Sequence, residues 1–118
     1  LKNLNNVNFV GNLDRKDIFS FLSNSFCLLN TSHEEGFSNT YLEAFSVSTP
    51  VVTRTKTDPD NIISTFNLGL TVDTYDLIPE AILKVLSSDI NYKKRMTDYL
   101  DQNHDPIKLS KQLINRAI

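Results

Sequence analysis

The sequence predicts a single α/β domain, in which a Rossmann-like parallel β-sheet is flanked by helices. Three observations support this fold class. Short apolar or β-branched runs alternate with segments of helical periodicity, which is typical of a parallel sheet with right-handed crossover connections. Residues 26–29 form an uninterrupted apolar run, as in a strand buried on both faces. The length of 118 residues is that of one domain.

The first half of the chain contains three predicted strands. Residues 7–11 form a short strand closed by glycine, and Asp14 is placed to cap the helix that follows. After the apolar strand, residues 39–47 are predicted to be helical. The third strand covers 50–53, with its proline at the first position, where a missing N–H is tolerated.

The second half is predicted to be mostly helical. The predicted elements are a short helix at 61–66, a strand at 70–72, and helices at 77–86, 90–103 and 106–118. The helix at 77–86 has the clearest amphipathic pattern, because its apolar residues recur at helical spacing. In the next helix, Met96, Tyr99 and Leu100 are expected to face inward.

A binding site is expected at one edge of this sheet. In open parallel sheets, ligands bind beyond the carboxyl ends of the strands. The loops at those ends are 11–15, 31–38, 53–60 and 73–76. Arg54 and Lys56 lie in the third loop, where contact with a phosphate is an alternative to a solvated loop charge.

Composition excludes several classes of function. The formal net charge of -2 lacks the basic surplus of a general nucleic-acid binder. Cys27 is the only cysteine, so no internal disulfide forms, and its apolar neighbours predict a buried, unreactive thiol. His33 and His104 belong to no cluster with metal-ligand spacing, so no metal site is predicted.

The sequence also bears on location. No stretch approaches the roughly 18 apolar residues that a membrane-spanning helix requires, and no signal peptide is visible. A single cysteine is compatible with a reducing compartment, so we expect a cytoplasmic protein. The basic run 93–95 is predicted to be a solvated helix face, with peripheral membrane association as the alternative.

The segment most informative about chemistry is 32–45, which leads from a strand end into a helix. Glu35 in the loop and Glu43 about one turn inside the helix are eight positions apart. Between them, Gly36 permits a tight turn and a close approach to a ligand. Main-chain amides at the helix start favour an anion such as a diphosphate, and carboxylates beside it accept hydrogen bonds from sugar hydroxyls. These amides belong to Phe37, Ser38 and Asn39.

Several pieces of the sequence occur in a characteristic order. They are Val7 to Gly11, Ser32, Glu35-Gly36-Phe37, Leu42-Glu43-Ala44, Pro50-Val51-Val52 and Leu68-Gly69-Leu70. Each piece alone is a weak signal, but the ordered series at this spacing resembles the family 4 glycosyltransferases of the GT-B fold, over nearly the whole chain. The resemblance implies that residues 1–118 are a single donor-binding domain from the C-terminal half of such an enzyme. On that basis, the N-terminal acceptor domain and the first βα units are expected to be absent from this piece.

The resemblance also implies a reaction. A retaining enzyme of this kind transfers a hexose from a nucleoside diphosphate sugar, UDP- or GDP-linked, to a saccharide or lipid-linked acceptor in glycan synthesis. No metal or cofactor is implied beyond that co-substrate, and this piece alone is expected to be inactive. Glu35 is implied to contact the transferred sugar as the catalytic residue, and Glu43 to accept hydrogen bonds from the ribose. The other implied donor-binding residues are Gly11, Asn12, Gly36, Phe37, Ser38 and Asn39.

The sequence departs from the family pattern in four respects. Ser38 stands where the family frequently has glycine or proline. Ser48 stands where the family commonly has glycine before the third strand, and residues 58–60 replace a glycine-rich turn. In the family, the arginine and lysine that neutralise the diphosphate precede the segment that corresponds to Leu1, so they are not among these residues.

Two site assignments have simpler alternatives. Thr40 and Glu43 fit a capping box, in which the glutamate stabilises the helix start instead of binding a ligand. Glu34 is adjacent to Glu35, and one of the two is expected to be a solvated loop charge. Register with Glu43, as in the family, favours Glu35.

A non-enzymatic alternative is a doubly wound module that binds a phosphorylated ligand or a protein partner. A phosphorylation-dependent receiver is one version. The first strand lacks the paired acidic residues that the metal site of such a receiver requires.

Overall fold

The computed structural model describes residues 5–32 and 39–103. Its strands are β1 (Leu28–Leu29), β2 (Val51–Arg54) and β3 (Gly69–Val72). Its α-helices are α1 (Arg15–Ser23), α2 (Asn39–Ser46), α3 (Ile62–Phe66), α4 (Ile78–Leu86) and α5 (Tyr92–Asn103). Short 3-10 turns cover Thr55–Thr57, Pro59–Asn61 and Tyr75–Leu77.

The three strands form a parallel sheet in the order β1-β2-β3. Leu28 is in register with Val51, and Val51 with Gly69. Helix α2 lies between β1 and β2 and helix α3 between β2 and β3, so both parallel pairs are joined by helical crossovers. The predicted α/β class, with a parallel sheet flanked by helices, is confirmed.

Helices cover both faces of the sheet. On one face, buried residues of α1, α2, α3 and α5 pack around Val51. On the other face, Val52 and Val72 pack against α4 through Ile78, Ala81 and Val85. Adjacent residues of β2 therefore point into different cores, which is the alternation expected of a strand.

The inward face predicted for α5 is confirmed. Met96, Tyr99 and Leu100 are all buried in the larger core. The Tyr99 ring meets the Phe45 ring edge-on at 5.7 Å and the Phe66 ring at 4.9 Å. Burial raises the pKa of the Tyr99 hydroxyl, and the negative charge of Asp60 raises it further.

Two predictions about the first half were wrong. Residues 7–11 do not form a strand, and the apolar run 26–29 contributes only a two-residue strand. Phe9 and Phe26 are 69% and 80% exposed, so neither segment is buried on both faces. Among the described residues, no strand pairs with the outer edge of β1, and an isolated strand gains no ladder hydrogen bonds. The helix predicted at 106–118 lies outside the described residues.

Ser48 explains how the chain leaves α2 without glycine. Its φ of 63° is left-handed, the conformation that favours glycine. The Thr49 amide donates to the Ala44 carbonyl at 2.9 Å, and the Ser48 amide donates to that of Phe45 at 3.1 Å. These two bonds define a Schellman motif with serine at the position where glycine is usual.

Replacing Ser48 by glycine is therefore expected to stabilise the protein. A left-handed residue other than glycine costs roughly 1–2 kcal/mol, and the greater unfolded-state entropy of glycine cancels part of the gain, which leaves about 0.5–1 kcal/mol. Urea denaturation should show a higher midpoint at an unchanged slope. Ser87 ends α4 with φ of -98°, so Ser87→Gly is the matched control and is expected to destabilise. Equal effects of the two substitutions would contradict this explanation.

Asp58 organises the loop that replaces the family's glycine-rich turn. Its buried carboxylate accepts from the Ile63 amide at 2.8 Å and from the Ser64 amide and hydroxyl at 3.2 and 3.1 Å. The start of α3 is thereby satisfied by a side chain. Asp60 and Asn61 take positive φ angles of 55° and 57°, which these residue types tolerate better than most.

Candidate functional site

Glu43 is a buried carboxylate in the middle of α2. Its residue exposure is 3%, and it lies in a helix segment whose other members, from Tyr41 to Phe45, are also buried. An ionised carboxylate in such a place requires compensating partners, because its transfer out of water is costly. Glu43 is therefore positioned by specific contacts and is not a solvated helix charge.

Arg15 supplies the opposite charge. Its Nη1 donates to Glu43 Oε1 at 2.7 Å, and the two side chains are 21% and 4% exposed. Arg15 is the first residue of α1, where Asp14 accepts from the Asp17 amide at 2.9 Å and confirms the predicted cap. The ion pair thus joins the start of α1 to α2 across 28 positions of sequence.

Tyr41 fixes α2 against the carboxyl ends of two strands. Its buried hydroxyl donates to the Thr57 carbonyl at 2.8 Å, accepts from the side-chain Nδ2 of Asn30 at 2.6 Å, and lies 3.0 Å from the Thr53 hydroxyl. Asn30 directly follows β1, and Thr53 belongs to β2. Because Glu43 is two residues beyond Tyr41, this network also sets the position of the carboxylate relative to the sheet edge.

The structure places four of the eight predicted site residues. Gly11 is exposed with a positive φ of 68°, Asn12 is exposed beside it, and Asn39 is the exposed first residue of α2. The ion pair between Arg15 and Glu43 brings the 11–15 loop and α2 together. The other four predicted residues, Glu35, Gly36, Phe37 and Ser38, lie outside the described residues, as do Glu34 and His33.

The bounds of α2 do not fit the capping-box alternative for Glu43. That alternative requires Thr40 to precede the helix, whereas α2 begins at Asn39, so Thr40 lies within its first turn. The carboxylate of Glu43 instead meets Arg15. Glu43 is therefore available for a role other than helix capping.

A second set of contacts lies along the carboxyl edge of the sheet. The Tyr75 hydroxyl donates to the Thr31 carbonyl at 2.8 Å, which links the turn after β3 to the segment after β1. The guanidinium of Arg54, the last residue of β2, lies over the Tyr75 ring at 4.7 Å from its centroid. Beside it, the Thr55 hydroxyl donates to Asp73 at 2.9 Å. Residues after all three strands thus meet at this edge.

A cavity of about 400 Å³ lies elsewhere, at the outer edge of the sheet beside α4. Its lining includes Thr71 of β3, Glu80 and Lys84 of α4, and Thr55 and Asp73 of the carboxyl edge. None of the predicted donor-binding residues lines it. Glu80 and Lys84 form an ion pair at 3.6 Å, but both side chains are two-thirds exposed. Such an exposed pair contributes little to stability. The cavity is therefore separate from the Glu43 site.

Two further sequence predictions concern isolated groups. Cys27 is half-buried, not fully buried, and burial raises the pKa of its thiol, which lowers the thiolate fraction as expected for an unreactive cysteine. Residues 93–95 are exposed on α5, and Lys94 pairs with Asp98 at 3.0 Å, so the run is a solvated face as predicted.

Within residues 5–32 and 39–103, no three histidine, cysteine or acidic residues come together as metal ligands. In the same part of the chain, every helix is too short or too polar to cross a bilayer.

Comparison with known proteins identifies the family. The model of a family described as glycosyl transferases group 1 matches residues 1–103. The chain belongs to this family. No curated protein and no solved structure matches the chain.

Membership of the group 1 glycosyltransferases gives the geometry a chemical meaning. Such proteins transfer a sugar from a donor to an acceptor, so this domain serves glycosyl transfer. The match includes both the 11–15 loop and α2, which the Arg15–Glu43 pair joins.

Arg15 and Tyr75 are site residues that sequence reasoning missed. For Arg15 a signal existed: a glutamate on the apolar face of a helix needs a counter-charge, and α1 begins with two cations. For Tyr75 no signal existed, because the contact with Thr31 spans 44 positions and depends on the strand order.

Replacing Arg15 by methionine is expected to destabilise the protein by about 1–3 kcal/mol, because it removes the cation from a buried carboxylate. Thermal unfolding of the intact protein measures this loss. Lys16 is exposed on the same turn, so Lys16→Met is the matched control and should change stability by less than about 0.5 kcal/mol. The combination of Arg15→Met with Glu43→Gln should recover part of the loss, because the uncompensated charge is then gone. If the stability losses of the two single variants simply added in the double variant, the pairing of Arg15 with Glu43 would be contradicted.

Proposed function

We propose that this chain is the donor-binding part of a retaining family 4 glycosyltransferase of the GT-B fold. The donor is a nucleoside diphosphate sugar, UDP- or GDP-linked, and the enzyme transfers its hexose to a saccharide or lipid-linked acceptor in glycan synthesis. The acceptor is bound by a part of the protein outside these 118 residues. The observation that carries the proposal is the buried Glu43 carboxylate, held by Arg15 where α1 and α2 meet.

The position of Glu43 suits a ribose. Its carboxylate accepts hydrogen bonds only, and a ribose presents two neighbouring hydroxyl donors. Hydrogen bonds to a carboxylate are stronger than those between neutral groups, and a site of low exposure strengthens them further. Arg15 donates to one oxygen of the Glu43 carboxylate, Oε1, and its positive charge lies beside that carboxylate.

The helix start supplies the second element of the proposal. The first turn of α2 presents main-chain amides at the positive end of the helix dipole, which favours negative charge. A diphosphate leaving group develops that charge as the sugar bond breaks, and fixed amides stabilise it. Glu35, four residues before α2, would then contact the transferred sugar, with Gly36, Phe37, Ser38 and Asn39 around the diphosphate. Gly11 and Asn12 would line the nucleotide side.

A titration tests donor binding directly. The intact protein is titrated calorimetrically with UDP, GDP, ADP and CMP, and with each free nucleoside as a control for base stacking. One diphosphate is expected to bind at least about tenfold more tightly than its nucleoside, because the diphosphate adds charge-assisted hydrogen bonds. A protein that binds none of these nucleotides would remove the donor-site proposal.

A second measurement separates enzyme from binding module. Once the titration shows which nucleoside diphosphate binds, hexoses linked to that diphosphate are supplied with a panel of saccharide and lipid-linked acceptors. Proton NMR then gives the anomeric configuration of the product. Transfer with retention supports the proposal. Inversion would contradict the retaining assignment, and tight binding without transfer to any acceptor would favour the non-catalytic phospholigand-binding module.

A further inference from the structure

Arg54 lies at the carboxyl end of β2, on the opposite face of the sheet from Glu43. Its neighbour Thr53 contacts Tyr41 of α2, whereas Arg54 contacts Tyr75 in the turn before α4. The guanidinium carbon is 4.7 Å from the centroid of the Tyr75 ring, and Nη1 is 3.4 Å from the Tyr75 hydroxyl. Stacking on an aromatic ring holds a guanidinium in place without consuming its positive charge.

Tyr75 is itself fixed. Its hydroxyl donates to the Thr31 carbonyl at 2.8 Å, and its residue opens the short turn Tyr75–Leu77. Arg54 therefore rests on a ring that is hydrogen-bonded to the segment directly after β1. A side chain supported in this way loses less conformational entropy when it binds a ligand than a free surface arginine does.

The charge of Arg54 has no acidic partner among the described residues. The carboxylate of Asp73 accepts a hydrogen bond from Thr55 instead, at 2.9 Å. The Nε atom of Arg54 is shielded from solvent and donates to no group of the described chain. Arginines that are partly buried usually pair with carboxylates or phosphates, because their planar fork of donors matches those groups.

We propose that Arg54 binds an anionic oxygen group, a phosphate or a carboxylate, of the transferase substrate. This inference rests on the proposed function for the identity of the substrate, but not for the binding of an anion. Arg54 ends β2, the strand next to β1 in the sheet. Because neighbouring strands are about 4.8 Å apart, Arg54 is one strand spacing along the sheet edge from the end of β1. If the ribose binds at Glu43, the anionic group for Arg54 is a different part of the substrate: the diphosphate, or a charged group on the sugar or acceptor.

Titrations with defined anions test this inference. The first arm uses inorganic pyrophosphate, UDP and GDP with the intact protein. The second arm adds glucose 6-phosphate, a soluble phosphate monoester, to protein saturated with the nucleotide that binds. We expect Arg54→Met to weaken binding of the anion by about tenfold in one arm, since one charge-assisted interaction is lost. Loss in the first arm assigns Arg54 to the diphosphate, and loss in the second assigns it to a charge beyond the nucleotide.

Lys56→Met is the matched control, because Lys56 is an exposed cation two residues further along the same loop. It should leave both arms within about twofold, the effect of a distant, screened charge. If Arg54→Met behaves like Lys56→Met in both arms, or if the unmodified protein binds neither pyrophosphate nor glucose 6-phosphate, the inference is overturned. The protein could also bind no nucleoside diphosphate but still bind pyrophosphate in a way that depends on Arg54. That result would contradict the proposed function and leave this inference standing.

A second pair of variants guards against a folding defect. Arg54→Lys keeps the charge and Arg54→Gln keeps a polar side chain without it. At equal melting temperatures, the lysine variant should retain more of the anion affinity than the glutamine variant. Equal affinities of these two variants would contradict a role for the charge.

Discussion

Replacing Gly69 by alanine is expected to lower the stability of the domain more than any other single methyl addition in the sheet. A Cβ at this position would overlap the Val51 carbonyl oxygen and lie 2.6 Å from the Val51 nitrogen. Both are main-chain atoms of the paired strand, so no rotamer change relieves the contact. The φ of 153° adds backbone strain for any other residue.

We expect a loss of at least about 3 kcal/mol, the combined cost of overpacking and of a disallowed backbone conformation. For a domain of this size, that loss lowers the melting temperature by more than about 10 °C. Far-UV circular dichroism on heating measures it. Gly11→Ala is the control, because Gly11 also has a positive φ but no atom within 4 Å of the added Cβ. Its cost should be limited to roughly 1–2 kcal/mol, and equal losses at the two glycines would refute the steric explanation.

The same glycine shows what the sequence could and could not predict about the fold. Elements with their own periodicity or punctuation were predicted correctly: α1 by its aspartate cap, α4 by its apolar spacing, and β2 by its proline and β-branched run. The close approach of Gly69 to Val51 was not predicted, because it depends on which strands are neighbours. Local sequence patterns predict local conformation. The pairing and register of strands depend on contacts between residues that are distant in sequence, which local patterns do not contain.

The failed strand at 7–11 has the same origin. Its apolar residues suit a strand, but a strand is stable only when a partner accepts its hydrogen bonds. No partner for this segment occurs within residues 5–32 and 39–103. Ser48 illustrates the opposite case, in which the residue departs from the expected glycine while the backbone keeps the conformation that glycine would favour.

The candidate site was predicted in part. The two carboxylates were predicted from motif order; the structure describes Glu43, which is buried and paired with Arg15, whereas Glu35 lies outside the described residues. The pair could not be assigned to Arg15 by spacing, because Arg15 and Lys16 are adjacent and only helix geometry selects between them. Tyr41 was predicted only as a member of α2, yet its hydroxyl joins that helix to two strand ends.

Replacing Glu43 by glutamine is expected to weaken binding of the donor nucleotide strongly, with a small effect on stability. Glutamine has nearly the same volume, and its carbonyl oxygen can still accept from Arg15. The ribose loses two charge-assisted hydrogen bonds, at a cost of roughly 2–3 kcal/mol, or about 30- to 150-fold in Kd. Calorimetric titration of the intact protein measures the affinity. Glu80→Gln on α4 is the control, because Glu80 is an exposed carboxylate far from α2 in sequence.

A weakened Kd alone does not show that Glu43 touches the ribose, since a displaced α2 would also bind nucleotide poorly. A double-mutant cycle resolves this question, with the 2′-deoxy nucleotide as the second change. If the carboxylate accepts from the ribose, the unmodified protein should lose affinity for the deoxy nucleotide, and Glu43→Gln should lose much less on the same change. If the two losses simply add, Glu43 acts on the nucleotide through the position of α2. Its pairing with Arg15 would then be structural, and the ribose contact would have to be sought elsewhere along the sheet edge.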